Sequence, residues 1–169
     1  PLLGPILSFF GANSLRDYEK AHLTFEPIDA GAFVEKIDQV LTLYDWEVTC
    51  AQLNLLDSHD MGRALWIVGE EKAALQQAVL FQMTMPGAPC IYYGDEVGLS
   101  AAGDPYCREA FPTDEADWDT DLLTFYQNAT TLRHRHEVLR TGHVDWLHSS
   151  GRAVAFRRVL GDKEAVVLF

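Results

Sequence analysis

Two short apolar runs, each ending in a polar cluster and separated by a helix-like stretch, constrain this chain more than any other feature. The first run is Val48-Thr-Cys-Ala-Gln-Leu-Asn-Leu-Leu56, and it ends in Asp57-Ser58-His59-Asp60. The second is Cys90-Ile-Tyr-Tyr93, and it ends in Gly94-Asp95-Glu96. Between them, residues 70–84 carry Ala74, Leu75, Ala78, Val79 and Phe81 among the apolar positions of a helix. Pro86-Gly87-Ala88-Pro89 then stops that helix. The two runs start about forty residues apart, which leaves room for a crossover helix. The pattern is a β-α-β unit, so the strands are expected to be parallel with a right-handed crossover. Runs this apolar read as strands covered on both faces.

The rest of the chain adds helices before and after this unit, and then a change of pattern. Residues 29–44 read as an amphipathic helix capped by Asp29, with Phe33, Ile37, Val40, Leu41 and Tyr44 on one face. Residues 98–118 read as a long loop rich in Gly, Asp and Pro, of a length that is often functional. A further helix pattern covers 119–140. From there His143–Leu147, Arg152–Val159 and Glu164–Phe169 read as antiparallel strands, with turns at Ser149-Ser150-Gly151 and Gly161-Asp162-Lys163. A boundary is therefore expected near residue 141. Both ends are expected to be internal to a longer polypeptide. The chain starts without Met, and it stops at Phe169 inside a strand pattern that would leave an apolar edge bare.

Composition narrows the ligand class. Thirteen basic against 25 acidic residues give a net charge of −12, which argues against nucleic acid as a partner. No apolar run approaches the ~20 residues of a membrane span, so no membrane partner is expected. Cys50, Cys90 and Cys107 form no CxxC pair and read as reduced, structural thiols, which favours the cytoplasm. The six histidines show no zinc-ligand spacing, and His134 and His136 read as solvated.

In parallel α/β architectures functional groups gather where strands end. Two neighbouring strands would aim Asp57–Asp60 and Gly94–Glu96 at one cleft. His59 and Asp60 then fit two readings. They could hold a polyhydroxylated ligand, the carboxylate accepting from hydroxyls and the imidazole donating to one. They could equally be a helix cap and a loop histidine. A Ser-His-Asp hydrolase centre is disfavoured, because triad members meet in space rather than as sequence neighbours and no GxSxG elbow is present. Asp95 and Glu96 read as shaping the loop, and Tyr92 and Tyr93 as strand packing.

Three segments together carry a family resemblance that covers essentially the whole chain. They are Asn54-Leu-Leu-Asp-Ser-His-Asp60, Met85-Pro-Gly-Ala-Pro-Cys-Ile-Tyr-Tyr-Gly-Asp-Glu-Val-Gly98 and Gly103-Asp-Pro-Tyr-Cys-Arg-Glu-Ala-Phe-Pro112. The chain resembles the alpha-amylase family of glycoside hydrolases, in the branch of neopullulanase, cyclomaltodextrinase and maltogenic amylase. It departs from the usual pattern at Met61-Gly62, Ala101-Ala102, Ala110 and Thr113.

The resemblance implies an α/β fold. Residues 1–140 would be the C-terminal part of a (β/α)8 barrel, with its seventh and eighth strands at Val48–Leu56 and Cys90–Tyr93. Residues 141–169 would begin an all-β antiparallel domain. The implied reaction is retaining cleavage of α-1,4-glucosidic bonds in cyclodextrins, maltooligosaccharides or pullulan, through a carboxylate nucleophile and a carboxylic acid. Both of those groups belong to earlier barrel strands, so none is assigned here, and this span alone is expected to be inactive and to need the remainder of its barrel. Asp60 matches the family's transition-state stabiliser, and His59 the neighbouring histidine that hydrogen-bonds the same sugar. Asp104 and Arg108 match a pair that contacts a more remote glucose unit; a local salt bridge is the other reading of that pair. The α-glucan oligosaccharide is thus the implied partner. No cofactor is assigned to this span. Family calcium sites lie largely outside it, and dimers of this branch form through a domain before the barrel. A trehalose-forming isomerase or transglycosylase, or a non-catalytic binding relative, stays open on this sequence.

Overall fold

The computed structural model describes residues 2–20 and 23–169. A buried helix, α1 (Leu3–Phe10), leads into a short antiparallel pair, β1 (Glu19–Lys20) and β2 (Leu23–Thr24). Helix α2 (Ala30–Leu41) follows, and the Asp29 carboxylate caps it by accepting from the Ala32 N–H at 2.8 Å. Phe33, Ile37 and Leu41 recur at four-residue spacing on its buried face.

Helix α3 (Trp46–Ala51) corrects the expected strand over Val48–Leu56, of which only β3 (Leu53–Leu55) is strand. β-branched Val48 and Thr49 gave the stretch its strand look. Two local features favour helix instead. Glu47 sits in the first turn, where a negative charge complements the helix dipole, and the Thr49 hydroxyl donates back to the Leu41 and Tyr44 carbonyls. Nor is β3 covered on both faces, since Leu53 is 63% exposed.

Helix α4 (Ala64–Ile67) precedes the long crossover helix α5 (Lys72–Thr84), which leads to β4 (Ala88–Cys90). β3 and β4 are parallel, with Leu53 opposite Ala88 and Leu55 opposite Cys90. The second strand thus ends earlier than expected, and Ile91–Tyr93 leave the sheet. The turn between α5 and β4 fixes the register. Gly87 adopts φ 107°, and a Cβ there would meet Asn54 Nδ2 at 2.3 Å. Asn54 donates to the Pro86 carbonyl at 2.7 Å, and Gln82 donates to the Asn54 carbonyl at 2.8 Å. Buried amides therefore tie the helix to both strands.

The long loop carries 3-10 turns at Asp95–Val97, Tyr106–Arg108 and Glu115–Asp117 before α6 (Thr120–Arg135) and the single turn α7 (Val138–Thr141). Strands β5 (His143–Ser150), β6 (Ala153–Leu160) and β7 (Lys163–Leu168) then form an antiparallel sheet in sequence order. Its inner face joins the same core as the helices. Phe81 of α5 lies 5.0 Å from Phe33, 5.8 Å from Phe10 and 5.7 Å from Phe156. Burying each such ring is worth about 1.5–3 kcal/mol.

Two arginines stitch the sheet to the helices. Arg133 at the end of α6 donates to the carbonyls of Met83 (2.8 Å), Met85 (2.7 Å), Leu139 (2.9 Å) and Gly87. Arg158 of β6 is fully buried and donates to Leu139 at 2.9 Å, to Gly142 and to Thr84. Burial without a carboxylate lowers both, Arg133 to about 10 and Arg158 to about 9. Charge-assisted bonds to turn carbonyls offset that desolvation.

Candidate functional site

The candidate site forms where β3 and β4 end. After β3 the chain is pinned from several sides. The buried Asp57 carboxylate accepts from the Ala64 N–H at 2.7 Å, starting α4. The Gly62 N–H donates to the Tyr18 hydroxyl at 2.8 Å, and the Arg63 N–H to the Ala101 carbonyl at 2.9 Å. Met61, Gly62 and Arg63 all turn inward. His59 and Asp60, caught between these anchors, face solvent with side chains 62% and 73% exposed. His59 Nε2 lies 3.3 Å from Asp60 Oδ1. An exposed acceptor beside an exposed imidazole can hold adjacent hydroxyls of a ligand.

Under that surface lies a group the sequence did not single out. The Arg63 guanidinium is fully shut off from solvent. It donates to Asp95 Oδ1 at 2.9 Å and to the Tyr93 carbonyl at 2.5 Å, and lies 4.3 and 4.9 Å from the Tyr92 and Tyr93 ring centres. Tyr92 and Tyr93 therefore pack on a cation. Burial pushes the Asp95 carboxyl well above the usual range, and the Asp57 charge adds to it; Arg63 works the other way. Asp57 is raised as well, again chiefly by burial. The two acids titrate as a pair around one guanidinium. The available signal was a lone Arg amid Met61-Gly62 and Ala64-Leu65, a charge set in an apolar run. Glu96 shapes the turn itself, accepting from the Gly94 N–H at 2.8 Å.

The loop after β4 folds back onto the loop after β3. Cys107 is fully buried, and its thiol donates to the His59 carbonyl at 3.4 Å. The Tyr93 hydroxyl donates to the Glu109 carbonyl at 2.7 Å. A Cβ on Gly62 would meet the Ala102 carbonyl oxygen at 2.8 Å, so the two loops pack backbone to backbone. Asp104 and Arg108 form an exposed ion pair across one turn. Asp104 raises the Arg108 guanidinium's pKa, and the charge of Asp60 adds to it at longer range. All four residues singled out from the sequence thus stand on two loops held together by Cys107. Among the described residues, no three His, Cys, Asp or Glu side chains are grouped so as to hold a metal ion, and no helix is long and apolar enough to cross a membrane.

Residues 9–115 match the catalytic domain of alpha-amylase, and the chain belongs to the alpha-amylase family. A cyclomaltodextrinase of a Bacillus species is 42% identical over 132 residues, which span 77% of this chain and 24% of that protein. Neopullulanase 2 of Thermoactinomyces vulgaris is 38% identical over 143 residues, 83% of this chain and 24% of its own length. Among solved structures, the native form of a Nostoc punctiforme debranching enzyme superposes with a TM-score of 0.93 at 36% identity, over 99% of this chain and 35% of that one. The chain thus spans about a quarter of the length of these two relatives.

Proposed function

We propose that this chain supplies part of the catalytic barrel of a retaining glycoside hydrolase that cleaves α-1,4-glucosidic bonds in cyclodextrins, maltooligosaccharides or pullulan. In this reading β3 and β4 are the seventh and eighth strands of a (β/α)8 barrel. Residues 1–140 belong to that barrel, and residues 141–169 begin a β domain. The observation that carries the reading is the seating of His59 and Asp60: both are exposed at the end of a parallel strand and anchored by buried neighbours on either side.

The chemistry follows from that seating. Cleavage through an oxocarbenium-like transition state builds positive charge at the anomeric carbon. Asp60 offers a fixed negative charge and acceptor oxygens to the hydroxyls of that sugar. His59 donates to the same ring and orients Asp60. Such contacts accelerate the reaction to the extent that they tighten as charge develops. Asp104 and Arg108 bind a glucose unit further along the chain, Arg108 as planar donor and Asp104 as acceptor. The nucleophile and the proton donor come from residues outside this span, so the span by itself turns nothing over. Three free thiols fit a reducing cytoplasm.

The test is Asp60→Asn in the full-length protein that carries this chain. Turnover of cyclodextrin should fall at least ~100-fold, the scale of losing one transition-state contact. Near-normal kcat in that variant would remove Asp60 from the mechanism.

A further inference from the structure

Two carboxyls and one guanidinium are closed in beneath the exposed loops. Asp57 is 2% exposed, and the Arg63 and Asp95 side chains 0% and 7%. This chain's own residues enclose the cluster, so residues outside the span do not complete it. One cation serves two acids. Arg63 Nη1 donates to Asp95 Oδ1 at 2.9 Å, whereas Arg63 Nε and Nη2 are buried without acceptors against the Tyr92 and Tyr93 rings. Asp57 Oδ2 accepts from the Ala64 N–H at 2.7 Å, and Asp57 Oδ1 is buried with no N–H donor among the described residues.

The Asp57 and Asp95 carboxyls do, however, hydrogen-bond each other. An ionised carboxylate only accepts, so a bond between two carboxyls needs a proton on one of them. The other titratable groups around the pair are Glu96 on the same turn as Asp95, the Tyr92 and Tyr93 phenols beside Arg63, and the buried Tyr126 of α6. Burial lifts the Tyr126 phenol well above its usual range and Tyr92 to about 12, so neither competes for a proton near neutrality.

We propose that Asp57 and Asp95 share a single proton, and that this proton latches the loop after β4 to the loop that carries His59 and Asp60. With the proton in place, one anion faces one cation. As pH rises the proton passes to water, the bond between the two acids is lost, and two buried carboxylates face one guanidinium. Burial raises both acids, and the Asp57 charge raises Asp95 further, so release falls above the usual carboxylate range. Repulsion then parts the loops and uncovers Cys107, which is fully buried with its thiol on the His59 carbonyl. The latch does not depend on the proposed function. Its effect on turnover does: Asp57 and Asp95 act there as positioning residues for His59 and Asp60.

The experiment compares wild type with Asp95→Asn in the full-length protein at pH 6 and pH 9. The new amide keeps an oxygen for Arg63 and offers an N–H to Asp57 Oδ1, so it imitates the protonated acid at every pH. Iodoacetamide labelling of Cys107, followed by mass spectrometry of its peptide, reads the loop junction; comparing the two proteins at one pH cancels the thiol's own titration. Rates should agree within about twofold at pH 6, and wild type should react about tenfold faster at pH 9. The infrared band of a protonated carboxyl should be present in wild type at pH 6, reduced at pH 9 and missing from Asp95→Asn. If Asp95→Asn does not fold, Asp57→Asn places the amide on the other acid and serves equally. No such band at pH 6 overturns the shared proton. A band that persists at pH 9, or equal labelling of the two proteins at both values, overturns the latch. In the kinetics, Asp95→Asn should match wild-type kcat/KM for cyclodextrin at pH 6 and exceed it about fivefold at pH 9. Equal kinetics with unequal labelling overturns the positioning role and leaves the latch. A full-length protein that cleaves no α-glucan overturns the proposed function, and the labelling still decides the latch.

Discussion

Arg63 Nη1 lies 2.9 Å from Asp95 Oδ1, with both side chains removed from solvent, and this contact, beside the Cys107–His59 bond, joins the loop after β3 to the loop after β4. Neither residue touches the exposed surface where His59 and Asp60 stand.

Arg63→Met leaves Asp57 and Asp95 buried without a cation. Breaking a buried pair by removing one partner costs about 3–5 kcal/mol. Denaturant unfolding of the full-length protein should show a loss of that size, with a smaller one for Arg63→Lys, which keeps the charge but not the planar stack on Tyr92 and Tyr93. A loss below about 1 kcal/mol would mean that Arg63 is not what holds the two loops.

The same cluster sets a pH dependence. Asp95 and Asp57 are both raised from 3.8 in the folded protein, so between that value and their raised values the folded state binds more protons than the unfolded chain. Their contribution to stability is complete below 3.8 and declines as pH rises through the window above it. Asp57→Asn removes one of the competing charges and should flatten that decline. Unfolding midpoints at pH 5 and at pH 8 test this: a wild-type difference that Asp57→Asn leaves untouched would place its origin elsewhere.

Gly62 is the point where the loops meet. Its missing side chain lets Ala102 approach, and a methyl group there would sit 2.8 Å from the Ala102 oxygen and 3.1 Å from the Tyr18 ring. Gly62→Ala should force the loops apart and lower kcat/KM for cyclodextrin about tenfold, a loss of roughly 1.4 kcal/mol. Its circular dichroism should stay that of the parent. Unchanged kinetics would show that the backbone can yield without moving His59 or Asp60.

Asp119 caps α6, accepting from the Leu122 N–H at 3.0 Å while pairing with Lys72. Removing such a cap costs about 0.5–2 kcal/mol, so Asp119→Ala should lower the thermal midpoint by a few degrees. Lys72 holds the Asp119 pKa below 3.8, so the ion-pair share of that stability is present above that value and is lost as pH falls below it. Melting curves at pH 7 and pH 3 should differ less in Asp119→Ala than in the parent.

Much of the frame was legible because it is written in local pattern. The Asp29 cap, the apolar stripe of α2, the stop at Pro86-Gly87 and the turns at Gly151 and Gly161 each act within a few residues. The parallel pairing of β3 and β4 followed from their spacing and the helix pattern between them. Where local pattern was ambiguous, the expectation failed. Val48-Thr49 favours a strand by propensity but is helical, because Thr49 finds acceptors in the preceding turn. At the site, the exposed His59 and Asp60 were visible as polar residues closing an apolar run. The burial of Arg63, Arg133 and Arg158 was not, because each finds acceptors on other segments, up to 74 residues away. The Cys107 tether was hidden for the same reason, since His59 lies 48 residues back along the chain.

The paired arginines at the base of the antiparallel sheet bear on how such a protein can be recombined. Thr84 and Leu139 present carbonyls that Arg158 of β6 answers, so the sheet is not an interchangeable cassette. A sheet grafted from a relative would have to bring a long cationic side chain at this place in its second strand. Without one, the helices would keep buried acceptors that nothing meets.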